Sequence, residues 1–445
     1  MNIVIEQSRS FFGFLFVALL ALAAFTPAHA GTLVQSSSTP FGSFAGIEYV
    51  RHNGRFVGIT SSGAYRVPFE IVAPADPHHG NGTVVFEAPH FLFRTAGRDF
   101  RLGPELLFNR RFSHASVGYN TNGFSLLDPF VGDAIIAGQP VIANSPPLVQ
   151  DVEILKQFVE ALAADPTATG ALGHLQRRYA YGISQSAQAL NVLFYGPGGA
   201  GLFDLVVLDV PVWRPPFGGP VALAVLPDPF VPLPDIGKVM VVSAEGDLLI
   251  SQSVQYRNAT ADPNYRVYEV AGAPHFPQDV VVQGVRLNPL DVLPLVRAAF
   301  VAGHQWVERG VSPPASRLLD AAGAGEIDPV YMFETGIARD INGNAAGGVR
   351  FPDVANGRAF HLASALDVEV LPGLAGLVGF WFDLACAPLP GETEPRFRNN
   401  GDYVSSVVRQ SRQLMLQGYV LPADASAFNR DAARSDVGKR GSCGP

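Results

Sequence analysis

Two cysteines in 445 residues, Cys386 and Cys443, leave no room for a disulfide-built scaffold, and their spacing matches no zinc motif. Charge is also scarce. Charged residues make up 16% of the chain, with a net charge of −8 and no basic run. That speaks against nucleic acid and anionic membrane surfaces as partners, because both need clustered Lys and Arg. Beyond the N-terminus no apolar stretch reaches the ~20 residues of a spanning helix before a polar residue or proline breaks it. What the chain has in quantity is apolar residues, 48% of the total. We read 31–445 as one large domain with insertions.

The first thirty residues read as a signal peptide. Arg9 precedes an apolar run from Phe11 to Phe25, and Pro27-Ala28-His29-Ala30 has the small residues at which a signal peptidase cuts. Cleavage before Gly31 would give an exported protein, periplasmic or extracellular. Glu6 leaves an uncleaved anchor as the alternative. In an oxidising compartment Cys386 and Cys443 would pair, and closing so long a loop contributes ~4 kcal/mol in the chain-entropy model. Otherwise they are two unpaired thiols.

Residues 31–75 have the pattern of strands. Glu48–Arg51 and Arg55–Gly58 flank Asn53-Gly54, which predicts a hairpin turn there. His78 and His79 sit in a polar loop with no third metal ligand nearby. Further strands are predicted at Thr83–Phe86, His114–Tyr119, Arg178–Tyr181, Leu205–Leu208, Lys238–Ser243 and Tyr265–Val270. Helices are predicted at Pro104–Asn109, Asp151–Leu162, Gln185–Tyr195 and Asp291–Arg309. Strands alternating with helices predict an α/β fold around a mostly parallel sheet, with its site at the carboxyl ends of the strands. Two stretches rich in Pro, Gly and aromatics, 210–234 and 316–384, read as lid or cap insertions. Trp213, Phe217 and Phe230 are candidate walls of a substrate pocket there.

The chain has three Gly-x-Ser triplets, starting at Gly123, Gly182 and Gly310. In the first, Leu127 crowds the position two after the serine. The third runs into Pro313-Pro314. Only Gly182-Ile183-Ser184-Gln185-Ser186 stands between a predicted strand and a predicted helix, with small residues two before and two after the serine. That is the pattern of a nucleophile elbow, where strand end and helix start approach too closely for larger side chains. Ser186 departs from the usual Gly. The competing reading of Ser184 is a helix N-cap.

A serine hydroxyl needs a base, and the base needs an orienting carboxylate. The strand Lys238–Ser243 leads to Glu245 and Asp247. The strand Tyr265–Val270 leads to His275. The order Ser, acid, His on successive strand-end loops matches the α/β-hydrolase arrangement. Asp247 is the favoured acid, with Glu245 as the alternative. The oxyanion donors would be the backbone N–H of Gln185 and one after Thr83–Phe86, at His90 or Phe91, since Pro89 has none. We take Phe91 as the candidate. No motif calls for a cofactor. Asp340–Asn344 reads as a polar turn, because it lacks the Gly and distal Glu of an EF-hand loop.

With these residues in place, the chain resembles the bacterial alpha/beta hydrolase domain family whose elbow reads Gly-x-Ser-Gln-Ser. The likeness extends to Tyr65…Ala73-Pro-Ala-Asp-Pro77…Asn81-Gly-Thr-Val-Val-Phe-Glu87, to Trp306-Val-Glu-Arg-Gly-Val-Ser-Pro-Pro-Ala-Ser316, and to Asp340-Ile-Asn-Gly-Asn344…Gly348-Val-Arg-Phe-Pro-Asp353. It ends at Asp402-Tyr-Val…Gly418-Tyr-Val-Leu-Pro422. Residues 245–247 and 272–276 also resemble the acid and histidine loops of cutinase-type polyester hydrolases. The family resemblance implies an α/β-hydrolase fold and a serine hydrolase scaffold without naming a substrate. The leading reading is a secreted carboxylic-ester hydrolase acting on a small-molecule or polymeric ester. An acyltransferase on the same residues, or a non-catalytic binding protein on the same scaffold, stays open at this point, as does the oligomeric state.

Overall fold

The structure, a computed structural model, describes residues 31–61, 63–89, 101–118, 135–136, 139–140, 149–195, 199–211, 237–250, 253–365, 376–388 and 395–439. The expected signal peptide and His90, Phe91, Trp213, Phe217, Phe230 and Cys443 lie outside the described residues.

The N-terminal strands are β1 (Thr32–Phe44), β2 (Ile47–Thr60), β3 (Gly63–Pro74), β4 (Thr83–Glu87) and β5 (Ser113–Val117), followed by the short β6 (Ile135–Ile136) and β7 (Gln139–Pro140). Then come β8 (Arg177–Ile183), β9 (Leu205–Asp209), β10 (Lys238–Ala244) and β11 (Tyr265–Val270). Together they form one sheet in the order β1-β2-β3-β5-β4-β8-β9-β10-β11, with β6 on β3 and β7 on β6. From β5 through β11 the neighbours run parallel. At the other end β1, β2, β3 and β5 meet antiparallel. The predicted α/β architecture with a mostly parallel sheet is what the chain adopts.

Alternation along the strands explains the layers. Val84, Phe86, Ala180, Val206, Leu208, Val239 and Val241 point to one face, where the helix Val149–Ala164 brings Ile154, Leu155 and Phe158. Their neighbours Val85, Tyr179, Tyr181, Leu205, Val207, Met240 and Val242 point to the other, against Leu295, Val296 and Phe300 of the helix Leu293–Arg309. Gly310, at φ 69°, closes that helix in the left-handed conformation expected of a glycine C-cap. Asp165 does more than end the helix before it. Its carboxylate accepts the N–H of Thr167 at 2.8 Å and caps a second helix, Pro166–Leu172.

The expected hairpin at Asn53-Gly54 is absent. Both residues lie in the middle of β2, with Gly54 opposite Gln35 on one side and Phe69 on the other. The glycine answers a packing need. A Cβ there would sit 2.2 Å from the Val34 carbonyl oxygen and 2.6 Å from the Phe69 ring, beside a register shift between Gln35 and Ser37. The turn between β1 and β2 is Ala45-Gly46, both at positive φ (48° and 78°).

The segment after the long helix first covers the outer edge of the sheet. Arg317 and Val349 bridge Tyr268 and Val270 of β11, which removes an open strand edge. Further on, the hairpin β14 (Ala359–Leu362) and β15 (Phe380–Asp383) follows a separate small ribbon, β12 (Val281–Val282) with β13 (Val285–Arg286). Asp340 is the hub of a turn, its Oδ1 accepting the N–H groups of Asn342 and Asn344 at 2.8 and 3.0 Å while Arg350 pairs with its other oxygen. The helices Asn400–Leu416 and Pro422–Arg434 complete the described chain. Among the described residues no helix is long and apolar enough to cross a membrane.

Candidate active site

Ser184 is the single residue between the end of β8 and the helix Gln185–Tyr195. Its φ is 51°, a left-handed conformation that a side chain-bearing residue rarely holds without compensation. The compensation is visible. A Cβ on Gly182 would lie 2.8 Å from both the Ala187 nitrogen and Leu190 Cδ1, so strand and helix close on each other only around glycine. Ser186 takes the place of the usual second glycine because its hydroxyl is used. It accepts the Ile183 N–H and donates to the Ile183 carbonyl, both at 2.9 Å. The Ser184 N–H is held by the Asp209 carbonyl at 2.9 Å. Gln185 opens the helix, so its N–H is among those a helix leaves without an internal partner.

The side chains expected to work together do meet. Ser184 Oγ is 2.8 Å from His275 Nε2. His275 Nδ1 is 2.5 Å from Asp247 Oδ1. Asp247 is fully buried, and its Oδ2 accepts the Ala244 N–H at 2.6 Å. With Nδ1–H donated to the carboxylate, Nε2 is the bare nitrogen and accepts the serine hydroxyl. Ser184 and His275 are each 9% exposed, so the pair is reachable yet largely dry.

Glu245, the alternative acid, turns elsewhere. Its Oε1 meets Arg339 Nη1 at 2.5 Å and its Oε2 accepts the Gly272 N–H at 2.7 Å. Burial pushes its carboxyl up from the ordinary range, and the Arg339 charge opposes that push.

Three features escaped the sequence reading. The first is Asp209, at the carboxyl end of β9 and fully buried. It accepts hydrogen bonds from Tyr181 Oη at 2.6 Å and Arg101 Nε at 2.7 Å, while Arg101 Nη2 reaches Asp291 at 2.9 Å. This network ties the strand beneath the elbow to the start of the long helix. A carboxylate ending a predicted strand was its only sequence signal. The second is Arg339, which also pairs with Asp328 at 2.7 Å.

The third is the packing around Gly272, whose φ is 76°. Its carbonyl accepts from Asn288 Nδ2 at 2.7 Å, and Asn288 Oδ1 faces His361 Nδ1 at 3.0 Å. His361 therefore carries its proton on Nδ1, and its Nε2 is buried without a partner. Burial, with Arg358 and Arg286 adding to it, lowers its pKa to about 3. The unfolded imidazole takes a proton near pH 6.5, the folded one only near 3. The neutral ring thus contributes stability that is full above about pH 6.5 and is lost as pH falls toward 3, roughly 4–5 kcal/mol in all. His361→Gln is expected to be less stable at pH 7 but to lose less stability between pH 6.5 and 4. Denaturant midpoints across that range would check it, and a variant with the wild-type slope would remove His361 as the cause.

A family model described as "Alpha/beta hydrolase domain" matches residues 50–430. The chain belongs to that family. No curated protein matches this alpha/beta hydrolase. Among solved structures it is similar to an S-formylglutathione hydrolase from Agrobacterium tumefaciens, at 10% identity and TM-score 0.35 over 54% of this chain and 89% of that one. It is also similar to a fungal esterase from Rhizomucor miehei, at 13% identity and TM-score 0.32 over 60% of this chain and 83% of that one. A lipase/esterase from Lactobacillus plantarum matches at 10% identity and TM-score 0.33, over 47% and 86%. Likeness at this level says nothing about substrate, so the chemistry is read from this chain's own residues.

Proposed function

We propose that this protein is an exported serine hydrolase that cleaves carboxylic esters through an acyl-enzyme. The reading is carried by one observation: a serine at positive φ with its hydroxyl 2.8 Å from an imidazole whose other nitrogen meets a buried carboxylate at 2.5 Å. Ser184 Oγ attacks the ester carbonyl carbon as its proton passes to His275 Nε2. Asp247 orients the ring and stabilises the imidazolium. The carbonyl oxygen, now negative, is met by the Gln185 N–H. Collapse expels the alcohol, which takes the proton from His275. Water then repeats the sequence on the acyl-enzyme, His275 accepting its proton, and the acid leaves with Ser184 restored.

The test is a panel of p-nitrophenyl esters from acetyl to octanoyl, followed by nitrophenolate release. Turnover of at least one member is expected, with free acid as the product when an alcohol acceptor is also supplied. No turnover across the panel would reject the ester reading, and acyl transfer to the alcohol in place of acid would make the protein a transferase.

Export and the disulfide form a second prediction. Protein recovered from the cell exterior or periplasm should begin at Gly31. Its intact mass should be two hydrogens below that of the dithiol, with Cys386 and Cys443 joined. Free thiols in such material would reject the bridge.

A further inference from the structure

The acid expected on a strand-end loop stands instead in the first turn of a short helix, Glu245–Ile250, and the loop that carries His275 is fastened to that turn at three levels. Farthest out is the Asp247–His275 contact itself, at 2.5 Å. Next, the Gly246 N–H donates to the Ala273 carbonyl at 3.0 Å. Deepest, the Gly272 N–H donates to Glu245 Oε2 at 2.7 Å. Helix and loop also touch directly, since a Cβ on Gly246 would fall 3.1 Å from the His275 backbone nitrogen. Gly272 is the hinge of the histidine loop. It holds φ 76°, and a Cβ there would lie 2.9 Å from His361 Cβ. Three residues later the chain reaches His275.

Glu245 is an expensive way to provide one acceptor. Its side chain is fully buried, and such a carboxylate costs several kcal/mol unless paired. The pair comes from far along the chain. Arg339 spans from Glu245 Oε1 to Asp328 Oδ2, which it meets through Nε at 2.9 Å and Nη2 at 2.7 Å. Asp328 is itself fixed by Thr335 Oγ1 at 2.6 Å and the Val330 N–H at 2.8 Å. A charged strut therefore runs from the 328–339 segment, through Glu245, to the backbone of the histidine loop.

We propose that Glu245 is a positioning residue for His275, holding the histidine loop through the Gly272 N–H, with Arg339 supplying its counter-charge from the segment that follows the long helix. This rests on the reading of Ser184 and His275 as the reacting pair. It gives the 328–339 segment a part in the chemistry without contact with the reacting atoms. If the strut only supplied stability, any well-packed replacement of the ion pair would serve equally well.

Two double variants separate these cases. Glu245→Gln with Arg339→Met removes the ion pair but keeps an amide oxygen for the Gly272 N–H. Glu245→Leu with Arg339→Met removes both. The Leu pair is expected to lose ~10–100-fold in kcat with KM little changed, the size of effect that small misplacements of a reacting group produce. The Gln pair should restore kcat to within a few-fold of wild type. Equal kcat in two folded doubles would overturn the proposal. Should the Leu pair not fold, Glu245→Asp with Arg339 intact serves instead: it keeps the charge but withdraws the acceptor from Gly272. A wild-type kcat in that variant would likewise overturn the proposal.

A readout independent of turnover is the downfield proton resonance of His275 Nδ1–H. It should persist in the Gln pair and shift or broaden in the Leu pair. An unmoved resonance in the Leu pair would sink the positioning role. Were the wild type to hydrolyse no ester, the proposed function would fall while the resonance still decided this point.

Discussion

Ser184→Ala is expected to reduce kcat for ester hydrolysis by on the order of 10⁴-fold or more while leaving the protein folded. The size follows from what is lost. Without Oγ there is no atom to form the acyl-enzyme, and whatever His275 and the oxyanion donors still provide must act on water alone. Folding should survive, because alanine at φ 51° is no more strained than serine and the elbow is held by other atoms. Gly182 permits the close approach, Ser186 bonds Ile183, and the Asp209 carbonyl takes the Ser184 N–H. A fluorophosphonate probe should add one mass label to wild type, on the peptide containing Ser184, and none to the variant. Full labelling of the variant would mean that another nucleophile does the work.

The elbow was legible in the sequence because its sterics restrict residue size at fixed offsets. One serine of three met the restriction, and it is the one that meets His275 at 2.8 Å. Strands buried on both faces were legible for a similar reason, since β4, β9 and β10 are short, mostly apolar runs bounded by turn residues. Asn53-Gly54 misled because glycine serves two purposes. It permits a turn, and it also permits close backbone approach in mid-strand, and local sequence does not distinguish them. The Arg339–Glu245 pair was illegible on other grounds. Its members stand 94 residues apart, and a charge pair across that separation is visible only once the chain has folded. The same holds for Arg101 and Asp209, 108 residues apart.

The choice between the two carboxylates after β10 rests on geometry, and it leads to the second large effect. Asp247→Asn is expected to lower kcat by roughly 10⁴-fold, the scale known for a triad acid turned amide. The hydrogen bonds around the site dictate how the amide must sit. Asp247 Oδ2 accepts the Ala244 N–H at 2.6 Å, so an asparagine has to keep its oxygen there. That directs the NH₂ group at His275 Nδ1, where Oδ1 now lies 2.5 Å away. A donor facing Nδ1 requires Nδ1 to be bare and Nε2 to hold the proton. His275 then presents N–H to the serine hydroxyl, and Nε2 can no longer take its proton. The fold should tolerate the change, because one buried carboxylate becomes a neutral group of the same shape. Glu245→Gln alone, which keeps an acceptor for Gly272, should cost far less. Steady-state kcat for both variants on one ester decides between them. If Glu245→Gln proves the more damaging, the Asp247 contact is not what keeps His275 a working base.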